Sequence, residues 1–275
     1  MKIGHDIPDN NPPLAEGKTK RIWPGIYPNE VLIESKDDIT AGDGARRDTI
    51  AHKAELATET TSNVFVLLER AGIPTHFVDR HDALTFRAME VTMIPIELVT
   101  RRVAFGSYLK RNPDTEPRTE FGHVEFEMFA KDDANHDPLL TYDFSQGIVK
   151  QFRPDTPVST ESLLSELPVH ESPFGIRYHH AVQMHRLAID TFEVLEAAWK
   201  DQDVTLVDMK IECGIAHDGQ IVVADVIDND SWRIWPGGDP NQMVDKQLYR
   251  DGQSLDYVAD KYAWVAEATR QFNQQ

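Results

Sequence analysis

The spacing of apolar positions changes several times along the chain, and each change marks an element. LAEGKTKRIWPG, from Leu14, reads as a strand, a Gly-Lys turn and a returning strand, and VLIESKDD, Val31 to Asp38, predicts a further strand ending in acids. From Asp48 to Ala71 the spacing turns helical through Leu56, Val64, Leu67 and Leu68, until Gly72, Ile73 and Pro74 stop it. ALTFRA and VTMIPIELVTRRVA return to strand-like runs, punctuated by Pro95. Asn112 to Pro173 is rich in Pro, Asp and Glu and weakly periodic, which predicts loops with short helices. A long helix follows from about Arg177 to Lys200, carrying Val182, Leu187, Ile189, Val194 and Leu195. Two apolar strands come next, VTLVDMKIECG and QIVVADVID, joined by the turn AHDG, and the tail from Gln242 to Gln275 is mostly helical. The expected organisation is a loose polar arm over 1–13, a β-rich lobe over 14–92 and a larger α/β lobe over 93–275. The fold class is α/β (α+β).

Composition narrows the function classes. The 275 residues carry a formal net charge of −18, which argues against a general nucleic-acid binder and against nonspecific binding to anionic membranes. An anionic small substrate is still compatible, because the field of a site is set by the groups that line it. Cys213 is the only cysteine, so there is no intrachain disulfide and no C-x-x-C site. No run reaches transmembrane length and the start, MKIGHDIPDNNPP, lacks the apolar stretch of a secretion signal, so a cytoplasmic location is expected.

Four stretches could carry chemistry. In VDMKIECG, Asp208, Lys210 and Glu212 alternate with apolar residues and project from one face of a strand, while Asp225 ends the neighbouring strand. Paired as a hairpin, Glu212 and Asp225 would meet near one edge, a donor set suited to Mg²⁺ completed by phosphates; an ordinary hairpin with a wet, charged face is the alternative. EGKTK, Glu16 to Lys20, could hold nucleotide phosphates, although the Walker pattern is absent, or could be a plain polar turn. DDITAGDGARR, with Thr40, Gly42 and Asp43, is either a substrate loop or a solvent-facing one. TRRVAFGSYLKR clusters Arg101 and Arg102 before Ser107, an arrangement that can grip phosphate or carboxylate, or serve surface salt bridges.

Taken in order, EGKTK, ITAGDGAR, AGIPT, MIPIE, the arginine to GS-x-x-KR block, KDDANHDP, LVDMKIE-x-G, ADVIDNDSWR and DKQLYRD closely resemble the SAICAR synthetase family, from about Leu14 to the C-terminal helix. ADVIDNDSWRIWP and KDDANHDP look most like the synthetase half of the bifunctional form, although no carboxylase domain is expected within these residues. The resemblance implies a two-lobed fold with ATP in the cleft, its N-terminal lobe reminiscent of kinase and ATP-grasp sites. It also implies a ligase that joins CAIR (carboxyaminoimidazole ribonucleotide) to L-aspartate, giving SAICAR, ADP and phosphate, with ATP and Mg²⁺. A small-molecule kinase or a non-catalytic nucleotide-binding protein on the same fold are the rival readings, and a homo-oligomer is left open.

Carried over by motif, Gly17, Lys18, Thr19 and Lys20 would sit at the ATP phosphates, the backbone around Met93 at adenine, and Lys131 and Asp137 near the nucleotide. Glu212 and Asp225 would hold Mg²⁺. Arg101, Ser107, Asp208, Lys210, Asp230, Arg233 and Arg250 would surround CAIR, with Asp208, Lys210 and Lys246 closest to the chemistry. The loop of Thr40, Gly42 and Asp43, with Lys246, would take aspartate. Trp232 and Trp235 are expected to pack. Two departures from the family pattern stand out: Cys213 where many members carry phenylalanine, and ADVIDND in place of D-E-x-S-P-D, which leaves Val226 unable to ligate a metal.

Overall fold

A computed structural model of the chain describes residues 12–41, 46–174, 176–244 and 246–274. The arm expected over 1–13 falls largely on residues 1–11, outside the described residues.

A first antiparallel sheet is built early in the chain. β1 (Ala15–Glu16), β2 (Lys20–Pro24) and β3 (Glu30–Ser35) form a meander. The strand expected over Val31 to Asp38 stops at Ser35: β4 (Asp38–Ala41) instead pairs with β5 (Arg46–Thr49) as a separate hairpin. Asp48 therefore lies in a strand, and the helix expected from it, α1 (Lys53–Arg70), starts five residues later. The reason is local. His52 takes a left-handed conformation that blocks extension, and the Asp37 carboxylate accepts from the amide of Ala54 at 2.9 Å, supplying an acceptor to the first turn. β6 (Phe77–Arg80) and β7 (Thr85–Met89) complete the five-stranded order β1-β2-β3-β7-β6.

The second sheet begins with β8 (Thr92–Val103), a continuous strand despite Pro95. Proline is accommodated at a bulge: Glu97 pairs with Glu212 and Met93 with Gly214, so Ile94 to Ile96 stand opposite Cys213 alone. After α2 (Ser107–Arg111), the region expected to be loops forms four strands: β9 (Glu120–Ala130), β10 (Leu139–Asp143), β11 (Ile148–Phe152) and β12 (Leu163–Pro168). In β9 the acids Glu125 and Glu127 alternate with Val124, Phe126 and Met128, so acid-rich composition conceals a period of two, and on its charged face Glu127 meets Arg101 and Arg111.

The long helix α3 (Tyr178–Lys200) covers the apolar face of this sheet and is followed by β13 (Val204–Ile215), β14 (Ile221–Ala224) and β15 (Trp232–Pro236). The order is β12-β11-β10-β9-β8-β13-β14, with β15 also on β13. α4 (Gln247–Arg250) and α5 (Leu255–Arg270) end the chain, α5 packing against α1. The architecture is mixed α/β, and no helix among the described residues is long and apolar enough to cross a membrane.

The core beneath the second sheet is anchored by Trp199. Its ring is fully buried, edge-on to Trp232 at 5.4 Å and to Phe272 at 4.9 Å, so it joins α3, β15 and the C-terminus. Trp199→Ala is expected to lose about 3–5 kcal/mol of stability, the cost of an emptied aromatic site, and Trp199→Phe much less. Urea denaturation of the three proteins checks both.

Candidate active site

β13 supplies one wall of the site. Asp208, Lys210 and Glu212 share a face, and their partners on β8, which are Arg101, Val99 and Glu97, lie alongside them. On its other edge β13 pairs first with β15, from Val204 to Met209, and then with β14, from Glu212 to Ile215. The segment from Asp225 to Ser231 must therefore leave the sheet between these strands, and it is tied back to β13 where the Lys210 amide donates to the Ser231 carbonyl at 2.7 Å. That excursion carries Asp225 and Asp230 into a cleft of about 540 Å³.

The facing wall comes from the first sheet, where Gly17, Lys18, Thr19 and Lys20 line the cleft at the β1–β2 turn, and from the separate β4–β5 hairpin, where Thr40 lines it. Lys20 donates to the Asp225 carboxylate, and Lys131 donates to Glu212 at 2.6 Å. Lys210 donates to Glu97 at 2.7 Å and Lys246 to Asp230 at 2.6 Å. Burial pulls the Lys20 pKa down to about 8 against the attraction of Glu212. Burial also opposes the charge on Lys210, but Glu97, Glu212 and Asp230 outweigh it and raise its pKa. Asp230 is ionised well below the usual carboxylate range: burial works against it, and Lys53, Lys246 and a 2.5 Å hydrogen bond from Tyr262 win. Asp137 lines the same cleft with a carboxyl raised by burial.

A second pocket of about 230 Å³ adjoins the first and is lined by Arg101, Ser107, Asp208 and Arg233. Asp208 accepts from Arg233 at 2.6 Å and from Arg101 at 3.1 Å, and Arg101 continues to Glu127 at 2.7 Å. Arg111, from the same sequence cluster, also holds Glu127, at 2.8 Å. Arg102 points to the other face and grips Glu196 on α3 at 2.6 and 2.8 Å, so the two adjacent arginines part company at the sheet. Gly106 sits against Arg233: with φ of 61° and a Cβ that would lie 3.1 Å from the Arg233 guanidinium, glycine is what lets the arginine lie there.

A third, apolar slot of about 410 Å³ opens beside Lys20 and Glu212, with Met93, Ile94 and Pro95 on one side and Ile22, Val31 and Ile33 on the other. Arg250 lines both polar pockets. Gly42 and Asp43 lie outside the described residues. Trp232 and Trp235 are packed, the latter edge-on to Phe105 at 5.2 Å. Sequence reasoning missed Glu97, legible in the alternation Glu97, Val99, Arg101, and it missed Lys53, His76 and Tyr262, which no local pattern marks.

The two sheets with a cleft between them reproduce a known architecture. A solved SAICAR synthetase in complex with ADP matches with a TM-score of 0.77 and 27% identity, over 94% of this chain and 97% of the other. The family model for SAICAR synthetase matches residues 13–268. A phosphoribosylaminoimidazole-succinocarboxamide synthase of Chloroflexus aggregans is 46% identical over 98% of this chain and 97% of its own length. A bifunctional phosphoribosylaminoimidazole carboxylase/succinocarboxamide synthetase of Drosophila melanogaster is 43% identical over 92% of this chain and 56% of its own length. The chain belongs to the SAICAR synthetase family.

Cys213 is 1% exposed, and burial with the nearby Glu212 charge pushes its thiol up to about 12. It is therefore expected to resist iodoacetamide at pH 8 in the native protein and to react fully in denaturant. Mass spectrometry of alkylated peptides checks this.

Proposed function

We propose that the chain joins the carboxylate of CAIR to the amine of L-aspartate at the expense of ATP, through an acyl phosphate, as a cytoplasmic step of purine biosynthesis. The observation that carries this reading is a shared wall: Glu97, Lys210, Asp230, Ser231, Lys246 and Arg250 line both polar pockets. A nucleotide in the larger pocket and a phosphorylated carboxylic acid in the smaller one would meet there.

The apolar slot suits adenine, with the backbone around Met93 along its edge. Phosphates would then reach Lys18, Lys20 and the amides of the Gly17–Thr19 turn, with Lys131 and Asp137 alongside. Glu212 and Asp225 fit Mg²⁺ only as part of a nucleotide complex. Among the described residues no three His, Cys, Asp or Glu side chains gather as a metal site, and Mg²⁺ keeps several waters and takes phosphate oxygens. Bound there, the metal would neutralise charge on the transferring phosphoryl group.

CAIR would lie over Asp208 and Lys210, its phosphate or carboxylate facing Arg101, Ser107, Arg233 and Arg250 and its polar ring groups facing Asp230. A carboxylate is a poor acyl donor because its oxide leaves badly. Attack by the CAIR carboxylate on the γ-phosphorus releases ADP and gives the acyl phosphate; the aspartate amine then adds to the acyl carbon, loses a proton, and expels phosphate. Lys210, on the shared wall, is placed to balance negative charge as it moves between the two pockets. Lys246 and the loop beyond Thr40 would hold aspartate and align its amine.

The direct test is a coupled assay with CAIR, Mg-ATP and L-aspartate. ADP release should require both CAIR and aspartate. Release independent of aspartate would point to a kinase, and none at all to a non-catalytic binder. Glu212→Gln and Asp225→Asn are each expected to impair turnover most at limiting Mg²⁺ with unchanged melting curves, and near-normal activity in both there would remove the metal assignment. Arg233→Lys should cost about 1–3 kcal/mol in kcat/KM for CAIR, since lysine lacks the planar fork, with little change in ATP binding. Separate titrations with CAIR and Mg-ATP check both halves.

A further inference from the structure

The ladder between β13 and β14 ends at the pair Glu212 and Ala224, and the next residue, Asp225, turns the chain off the sheet with a φ of 67°. This left-handed conformation costs a residue with a Cβ about 1 kcal/mol or more, so something must hold it. Its carbonyl has also left the ladder. The ring of His76, just before β6 at the edge of the first sheet, reaches that carbonyl with Nε2 at 3.0 Å. A carbonyl oxygen only accepts, so Nε2 carries the hydrogen.

His76 is itself fixed on every side. Its amide donates to the Val223 carbonyl at 2.9 Å and its carbonyl accepts from Met89 at 2.7 Å, while the Val223 amide donates to Pro74 at 3.0 Å. The ring stands edge-on to Phe65 at 5.5 Å and to Phe86 at 5.9 Å. The ring is buried among these groups, which leaves the Asp225 carbonyl as the acceptor that Nε2 meets.

We propose that His76 is a positioning residue for Asp225: its Nε2–H holds the Asp225 backbone in the turned conformation that aims the carboxylate into the cleft. Asp225 sits against the first sheet through its side chain, paired with Lys20, and through its backbone, held by His76. The inference rests on the reading of Asp225 as a metal ligand. Groups that orient a ligand from behind commonly set metal affinity as strongly as peripheral ligands do.

The test uses Mn²⁺ as a paramagnetic probe, titrated into the full chain at saturating ADP and followed by electron paramagnetic resonance. His76→Leu should weaken Mn²⁺ binding by about 10- to 100-fold, the range seen when such supporting partners are removed. His76→Gln restores a side-chain donor and should recover most of the loss; because His76 also lines the apolar slot, ADP is kept saturating for each variant separately. Asp225→Asn, run in parallel, separates the two layers of the argument. If it weakens Mn²⁺ binding and His76→Leu does not, the positioning role is wrong and the metal reading stands; if it leaves Mn²⁺ binding unchanged, the metal reading fails and this inference with it. Nitrogen-15 NMR of the wild-type protein gives a readout that needs no folded variant: the Nε2–H tautomer is expected for His76, and the Nδ1–H tautomer would overturn the assignment.

Discussion

The site depends on how β13 spends the hydrogen bonds of one edge. One strand cannot pair with β14 and β15 at the same positions, so they divide its length, and the chain between them is forced out of the sheet. This exclusion places Asp225 and Asp230 in the cleft, where neither would project from a regular strand. The opposite edge of β13 is filled by β8, whose bulge at Cys213 lets Pro95 sit in a long strand without a missing ladder bond. Pro74 to His76 then lie along the outer edge of β14, so the segment leading into β6 is bonded to the strand that ends just before Asp225.

Charge within the cleft follows a simple rule of exchange. The chain carries a net charge of −18, yet four acids facing the cleft are each met by a base: Asp225 by Lys20, Glu212 by Lys131, Glu97 by Lys210, Asp230 by Lys246. These pairs keep the walls close to neutral without ligands. Phosphates would draw the lysines away and a divalent cation would take the acids, so the partners of the free protein and those of the complex are the same groups re-sorted. Local pairing, not total charge, is what makes an acidic protein hospitable to anionic substrates.

Much of this was legible in the sequence, and the failures have physical causes. The alternation Asp208, Lys210, Glu212 and the AHDG turn lead directly to the β13–β14 hairpin, because one buried face fixes a period of two. The four strands between Glu120 and Pro168 were hidden because β9 has a charged face on which Glu127 pairs with distant arginines and because β12 is an edge strand with little burial. Asp48 looked helical because the pairing of β5 with β4 is a long-range fact that leaves no apolar period. Lys53, His76 and Tyr262 reach the site from a helix start, a strand start and the last long helix. Only the folded chain brings them together, so nothing local distinguishes them from packing residues.

The central claim is that the two pockets exchange a phosphoryl group through a carboxylate at their common wall. Oxygen transfer tests it most directly. With CAIR labelled by oxygen-18 in its carboxylate and unlabelled ATP, the account predicts one labelled oxygen in the inorganic phosphate released for each SAICAR formed. Phosphate free of label, at full turnover, would contradict it.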